Sequence, residues 1–212
     1  MTPRTPRPRR SAAFASVVPA LAFALSVAVV APGCGLFSTA VPEPPTSGNT
    51  IPPANFDVPE STLATLIRSV ENRLTSDYKL CFTDSVGNDE PGFYASFDPS
   101  DLSDWVQDHP PPGIWTLDRE IQFFPRFLAY NPNSFYDMTV TTFRPDLDLD
   151  PSTRILNRTY RVFASGSPVA AGAAVLTFKR VGLSGEWKIS FWEDLVDTTD
   201  VRTWGVARLN GQ

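Results

Sequence analysis

His109, Cys34, Cys81 and 23 acidic side chains are the groups from which this chain of 212 residues can assemble reactive chemistry. His109 lies in Asp108-His109-Pro110-Pro111-Pro112, where prolines favour extended, exposed chain. No nucleophile or orienting carboxylate marks a catalytic set around it. Asp146, Asp148 and Asp150 repeat the alternating carboxylates of a calcium loop. Pro151, however, stands where that loop needs glycine, and Asn157 where its closing glutamate belongs, so the run reads as a solvated hairpin tip. Asp98, Asp101 and Asp104 either gather a weak cation or are simply hydrated. Cys81, among Tyr78, Leu80 and Phe82, reads as a small buried hydrophobe rather than a thiolate. Asn157-Arg158-Thr159 matches a glycosylation acceptor by chance, inside an expected strand. These residues imply no metal and no cofactor.

Aromatic side chains are the other resource, with 5 Trp, 5 Tyr and 15 Phe. They serve either to fill the core of a curved sheet or to line an apolar pocket, for which Tyr78, Tyr94, Trp115 and Trp192 are the candidates.

The elements that must position these groups begin after an unusual N-terminus. Arg4, Arg7, Arg9 and Arg10 precede an uncharged run from Ser11 to Ala31, the pattern of a positive n-region and an apolar h-region. The run ends in Ala31-Pro32-Gly33-Cys34-Gly35, which looks like the lipobox of a bacterial lipoprotein, with Ala31 where leucine is usual and Pro32 where serine or alanine is. A plain membrane anchor, or a secretory signal cut elsewhere, would use the same run; Pro19 and the Gly-Cys-Gly junction argue for the lipoprotein reading. Residues 1–33 are therefore expected to be a signal peptide, Cys34 a lipidated mature N-terminus, and 34–57 a proline-rich tether to the membrane. Gly35 rather than aspartate after the cysteine directs the expectation to the periplasmic face of an outer membrane.

Four of the 18 basic residues and none of the 23 acids precede position 34, so the remainder carries 14 basic residues against 23 acids. That balance disfavours a nucleic-acid partner. Two cysteines exclude a disulfide scaffold.

Residues 58–212 are expected to form the domain. Leu63, Leu66, Ile67, Val70 and Leu74 after Pro59 predict a helix over 59–74, and Tyr78, Cys81 and Phe82 a short second one. From Leu80 to Asp118, Asp, Gly and Pro predict mostly loop, with a short strand at 93–97. A helix through Ile121, Phe124 and Leu128 follows, which Pro125 should kink or hold to two turns. The last third alternates with period two over 135–144, 154–164, 169–180 and 186–195, joined by Ser165-Gly166-Ser167-Pro168 and Gly182-Leu183-Ser184-Gly185. Alternation puts Asp194 with Trp192, opposite Trp187, Ile189 and Phe191. The class expected is α+β, helices packed on a curved, mostly antiparallel sheet.

The segment Asp77-Tyr78-Lys79-Leu80-Cys81-Phe82, the central Trp115 and its helix, the long hairpin, and the ending Gly185-Glu186-Trp187-Lys188-Ile189-Ser190-Phe191-Trp192-Glu193-Asp194 resemble the nuclear transport factor 2-like superfamily, including its SnoaL-like, polyketide-cyclase-like members. The resemblance implies a cone of sheet around helices, often a homodimer, with a pocket at the open end. It gives Asp194 a catalytic role as a base, which no second group in the sequence supports; ending the strand as a hydrogen-bond acceptor is the plainer role. Two functions fit: a non-enzymatic module for a small apolar ligand or a protein partner, or a cyclase, isomerase or dehydratase working in the cone.

Overall fold

A computed structural model describes residues 51–84, 92–130, 132–197 and 201–211. Cys34, the expected signal peptide and most of the expected tether lie outside them. Residues from Ile51 onward form one compact unit. Its buried core runs from Phe56 to Trp204 as a single cluster, so the unit carries a complete core of its own. No helix among the described residues is long and apolar enough to cross a membrane.

Helix α1 (Pro59–Glu71) starts at a proline, which needs no N–H partner in a first turn, and Ser61 Oγ accepts from the Val58 N–H at 3.2 Å. Leu63, Leu66 and Val70 are its buried stripe. The helix ends before the expected residue 74 because Arg73 adopts a left-handed φ of 59°. There the Leu74 N–H closes on the Ser69 carbonyl at 2.8 Å. Arg73 also donates to the carbonyls of Leu128 and Ser134. Those contacts hold a side chain that would ordinarily avoid such a turn. Leu74 then precedes α2 (Thr75–Leu80).

Strand β1 (Tyr94–Ser96) is followed by a helix where loop was expected, α3 (Pro99–Trp105). Asp98 caps it, accepting from the Ser100 N–H at 2.8 Å, and Pro99 takes the first turn. After β2 (Trp115–Thr116) comes α4 (Leu117–Tyr130), 14 residues long with Pro125 inside it. Pro125 does not confine the helix to two turns. It faces solvent, and the single lost backbone bond is offset by Phe123, Phe124 and Leu128 burying the other face.

Strands β3 (Tyr136–Thr142), β4 (Leu147–Asp150), β5 (Thr153–Ala164), β6 (Ser167–Val181) and β7 (Glu186–Leu195) complete a seven-stranded sheet of order β2-β1-β7-β6-β5-β3, with β4 beside β5. β5, β6 and β7 form the expected antiparallel meander, and β1 joins β7 in parallel. Ser165 and Gly166, at φ 50° and 83°, make the two-residue turn whose twist suits a hairpin. The class is thus α+β, with helices on a curved, unclosed sheet.

One expectation about faces is corrected. Thr177 pairs with Phe191 and Phe178 with Ile189, which leaves Ser190 as an extra residue in β7. This bulge reverses the alternation, so Trp187, Ile189, Trp192 and Asp194 all turn to the buried face and only Phe191 stays opposite. Pro53 to Phe56 pack on the same region: the Phe56 carbonyl accepts from the Trp187 N–H at 2.8 Å, and that of Pro53 from Arg68.

Candidate functional site

The last element, α5 (Trp204–Asn210), occupies the space ringed by sheet and helices. Thr203 caps it, accepting from the Val206 N–H at 3.1 Å while its own hydroxyl donates to Asp101. Trp204 stacks 6.4 Å from Trp192 and meets Phe123 edge-on at 5.6 Å. Two carboxylates converge on this helix.

Glu120 of α4 and Arg208 of α5 are both fully buried. Arg208 donates Nε to Glu120 Oε2 at 2.7 Å and Nη2 to Oε1 at 3.0 Å. Trp115 Nε1 adds a bond at 2.6 Å and the Tyr78 hydroxyl another. Arg208 also lies 4.4 Å over the Trp192 ring. A buried carboxylate is tolerable only with such compensation. Burial opposes the Arg208 charge, but Glu120, Tyr78 and Asp194 together outweigh it and hold the guanidinium above its ordinary pKa. The Tyr78 hydroxyl is raised well above its usual range by burial and by Glu120.

Asp194 forms the second centre. Tyr160 donates to Oδ1 at 2.6 Å and the Gly205 N–H to Oδ2, while the Trp204 N–H donates to the Tyr160 hydroxyl at 2.7 Å. Burial lifts Asp194 to about 6, against the pull of Arg208 and these donors. Gly172 makes room for the arrangement, since a Cβ there would lie 2.7 Å from the Tyr160 oxygen. Asp194 thus accepts from the backbone at the start of α5 and from the Tyr160 hydroxyl. A base would have to exchange them for a substrate proton.

Of the four aromatic candidates, Tyr78, Trp115 and Trp192 come together around Glu120 and Arg208. Tyr94 does not; it lies half-exposed on β1, its ring 4.6 Å from Phe191. The surface acids are engaged separately. Asp98 accepts from the Val196 N–H, Asp146 pairs with Arg158, Asp148 with Arg154, and Asp150 accepts from Ser152. His109 stacks on Trp105 at 4.5 Å. Burial pushes the Cys81 thiol up to about 12, and Asn157 is buried against Arg144 and Pro145.

The sequence reading missed Glu120, Tyr160, Trp204 and Arg208. Glu120 had a signal: it falls on the apolar stripe of its helix, four residues before Phe124.

No family model matches this chain, and no curated protein matches it. Among solved structures it is similar to a protein of unknown function with a cystatin-like fold from Nostoc punctiforme, at 10% identity and TM-score 0.45 over 66% of this chain and 89% of that one. It is also similar to a protein of unknown function from Mycobacterium tuberculosis, at 13% identity and TM-score 0.47 over 72% and 87%. A third likeness is to a protein of the NTF2-like family from Streptomyces avermitilis, at 12% identity and TM-score 0.46 over 65% and 92%. Likenesses this distant assign no activity to this chain.

Proposed function

We propose that this is a lipid-anchored protein of the bacterial envelope whose domain, nuclear transport factor 2-like in layout, is a non-enzymatic binding module. One observation carries the second half: α5 occupies the interior where a pocket enzyme would hold its substrate, and both interior carboxylates are engaged by the chain's own donors. The arginines, the uncharged run and the Gly33-Cys34 junction support the first half. Cys34 becomes the mature N-terminus and carries more than one acyl chain, because a single chain anchors marginally. Mass spectrometry of membrane-purified protein tests the anchor, and an unmodified Cys34 thiol refutes it.

The competing reading, an enzyme of the cyclase, isomerase or dehydratase type, is favoured by Asp194 being lifted to about 6. The two readings separate on one assay. The purified domain should leave enolisable ketones unchanged; turnover that Asp194→Asn abolishes without loss of stability would make it an enzyme.

A further inference from the structure

Outside the occupied interior, α4, α5 and the start of β6 bound an open groove of about 630 Å³. That volume suits a small ligand. Its apolar surface comes from Phe127, Val169 and Ala207, and Tyr130 stands 87% exposed beside them. Arg126 and Arg202 line it too, and no acid among the described residues does. Both arginines are exposed and neither has an ion pair among the described residues. Five cations elsewhere in the domain are paired with acids: Arg68 with Asp77, Arg154 with Glu60 and Asp148, Arg158 with Asp146, Lys188 with Glu186, and Arg208 with Glu120. Arg126 donates one N–H to the Gly211 carbonyl at 3.0 Å and keeps the rest of its fork. Two guanidiniums without ion pairs beside an aromatic and aliphatic floor, in a domain with excess acid, are complementary to an anion that carries a hydrocarbon chain.

We propose that this groove binds a single-chain carboxylate amphiphile, its carboxylate at Arg126 and Arg202 and its chain against Phe127, Val169 and Tyr130. The proposal rests on the binding-module reading and names that module's ligand class. A neutral or cationic head of equal chain length loses the arginine contacts, and a carboxylate without a chain loses the floor.

Isothermal titration of residues 51–212, the unit with its own core, against decanoate, decanol, decyltrimethylammonium and acetate tests it. Decanoate should bind at least about tenfold more tightly than decanol or the ammonium, with no measurable heat from acetate. Arg126→Ala with Arg202→Ala should weaken decanoate about tenfold or more at unchanged melting temperature, and Tyr130→Ala should weaken it several-fold. Equal affinity for decanoate and decanol, indifference to the double substitution, or no decanoate heat at millimolar concentration each overturns the proposal. Binding to phosphatidylglycerol vesicles without binding of free decanoate also overturns it, making the groove a membrane contact. A domain that ignores decanoate and leaves ketones unchanged loses this ligand and remains a module. One that turns them over loses the module reading itself.

Discussion

Phe123 and Phe127 stand between two regions of opposite electrostatics. On the interior side, Glu120 and Asp194 face a single guanidinium, that of Arg208, and aromatic rings fill the remaining space. On the groove side, Arg126 and Arg202 face solvent with no lining acid among the described residues. The same helices supply both regions, α4 giving Glu120 and Arg126, and α5 giving Arg208 and Ala207. The difference teaches that an ionisable residue's meaning here depends on whether its charge is matched. Paired with each other, Glu120 and Arg208 fasten α5, while the two arginines of the groove stand in solvent without an ion pair among the described residues.

Breaking the interior should have the largest effect. Glu120→Ala strands a buried guanidinium and should cost about 3–5 kcal/mol in denaturant unfolding, whereas Glu120→Gln with Arg208→Met should recover most of that loss. A single change at Glu120 within 1 kcal/mol of wild type would mean that the pair is not the fastening. Gly172→Ala should come next, at about 1–3 kcal/mol, because the new Cβ meets both the Tyr160 oxygen and the Leu195 carbonyl, at 2.7 and 2.9 Å.

Asp194→Asn sharpens the comparison through pH. The native carboxyl is lifted from 3.8 to about 6, so its neutral form is the one the fold prefers. Its stabilising contribution is therefore complete below about pH 4 and is lost as pH rises through 6. The substitution leaves one of two donors without an acceptor, costing roughly 1–3 kcal/mol near pH 4. That deficit should shrink by pH 7, and melting curves at the two pH values measure it; a deficit that grows with pH would contradict the assignment. The smallest effect belongs to the groove, where Arg126→Ala with Arg202→Ala should move stability by less than about 0.5 kcal/mol, since neither side chain is buried.

Regular periodicity was legible in the sequence, and local irregularity was not. The meander, α1 and the α+β class follow from apolar spacing and glycine turns. Asp98-Pro99 is a readable helix start, but its setting among acids and prolines disguised α3. The Ser190 bulge has no sequence signature, and one unpaired residue there turned Trp187 and Ile189 onto the face of Trp192 and Asp194. Helix α5, 7 residues with Gly205 inside, has too short a pattern to announce itself, and without it the partner of Glu120 was invisible. The pocket candidates were found by residue type; that three of them meet around an ion pair depended on contacts as distant as Tyr78 to Glu120 and Glu120 to Arg208, which spacing does not encode.

Strand β7 has a kinetic consequence. Its partner on one side, β6, is the preceding strand across a short turn. On the other side lie Phe56, Cys81 and β1, about a hundred residues or more earlier in the chain. Closing loops of that size is entropically slow, so the β5-β6-β7 meander can form while its far edge still waits for the helices. In a refolding chain, pulse-labelled hydrogen exchange should show protection at the amides of β6 before those of β1. During that interval the unpaired edge of β7 is open to a second chain, and concentrated refolding would meet aggregation there first.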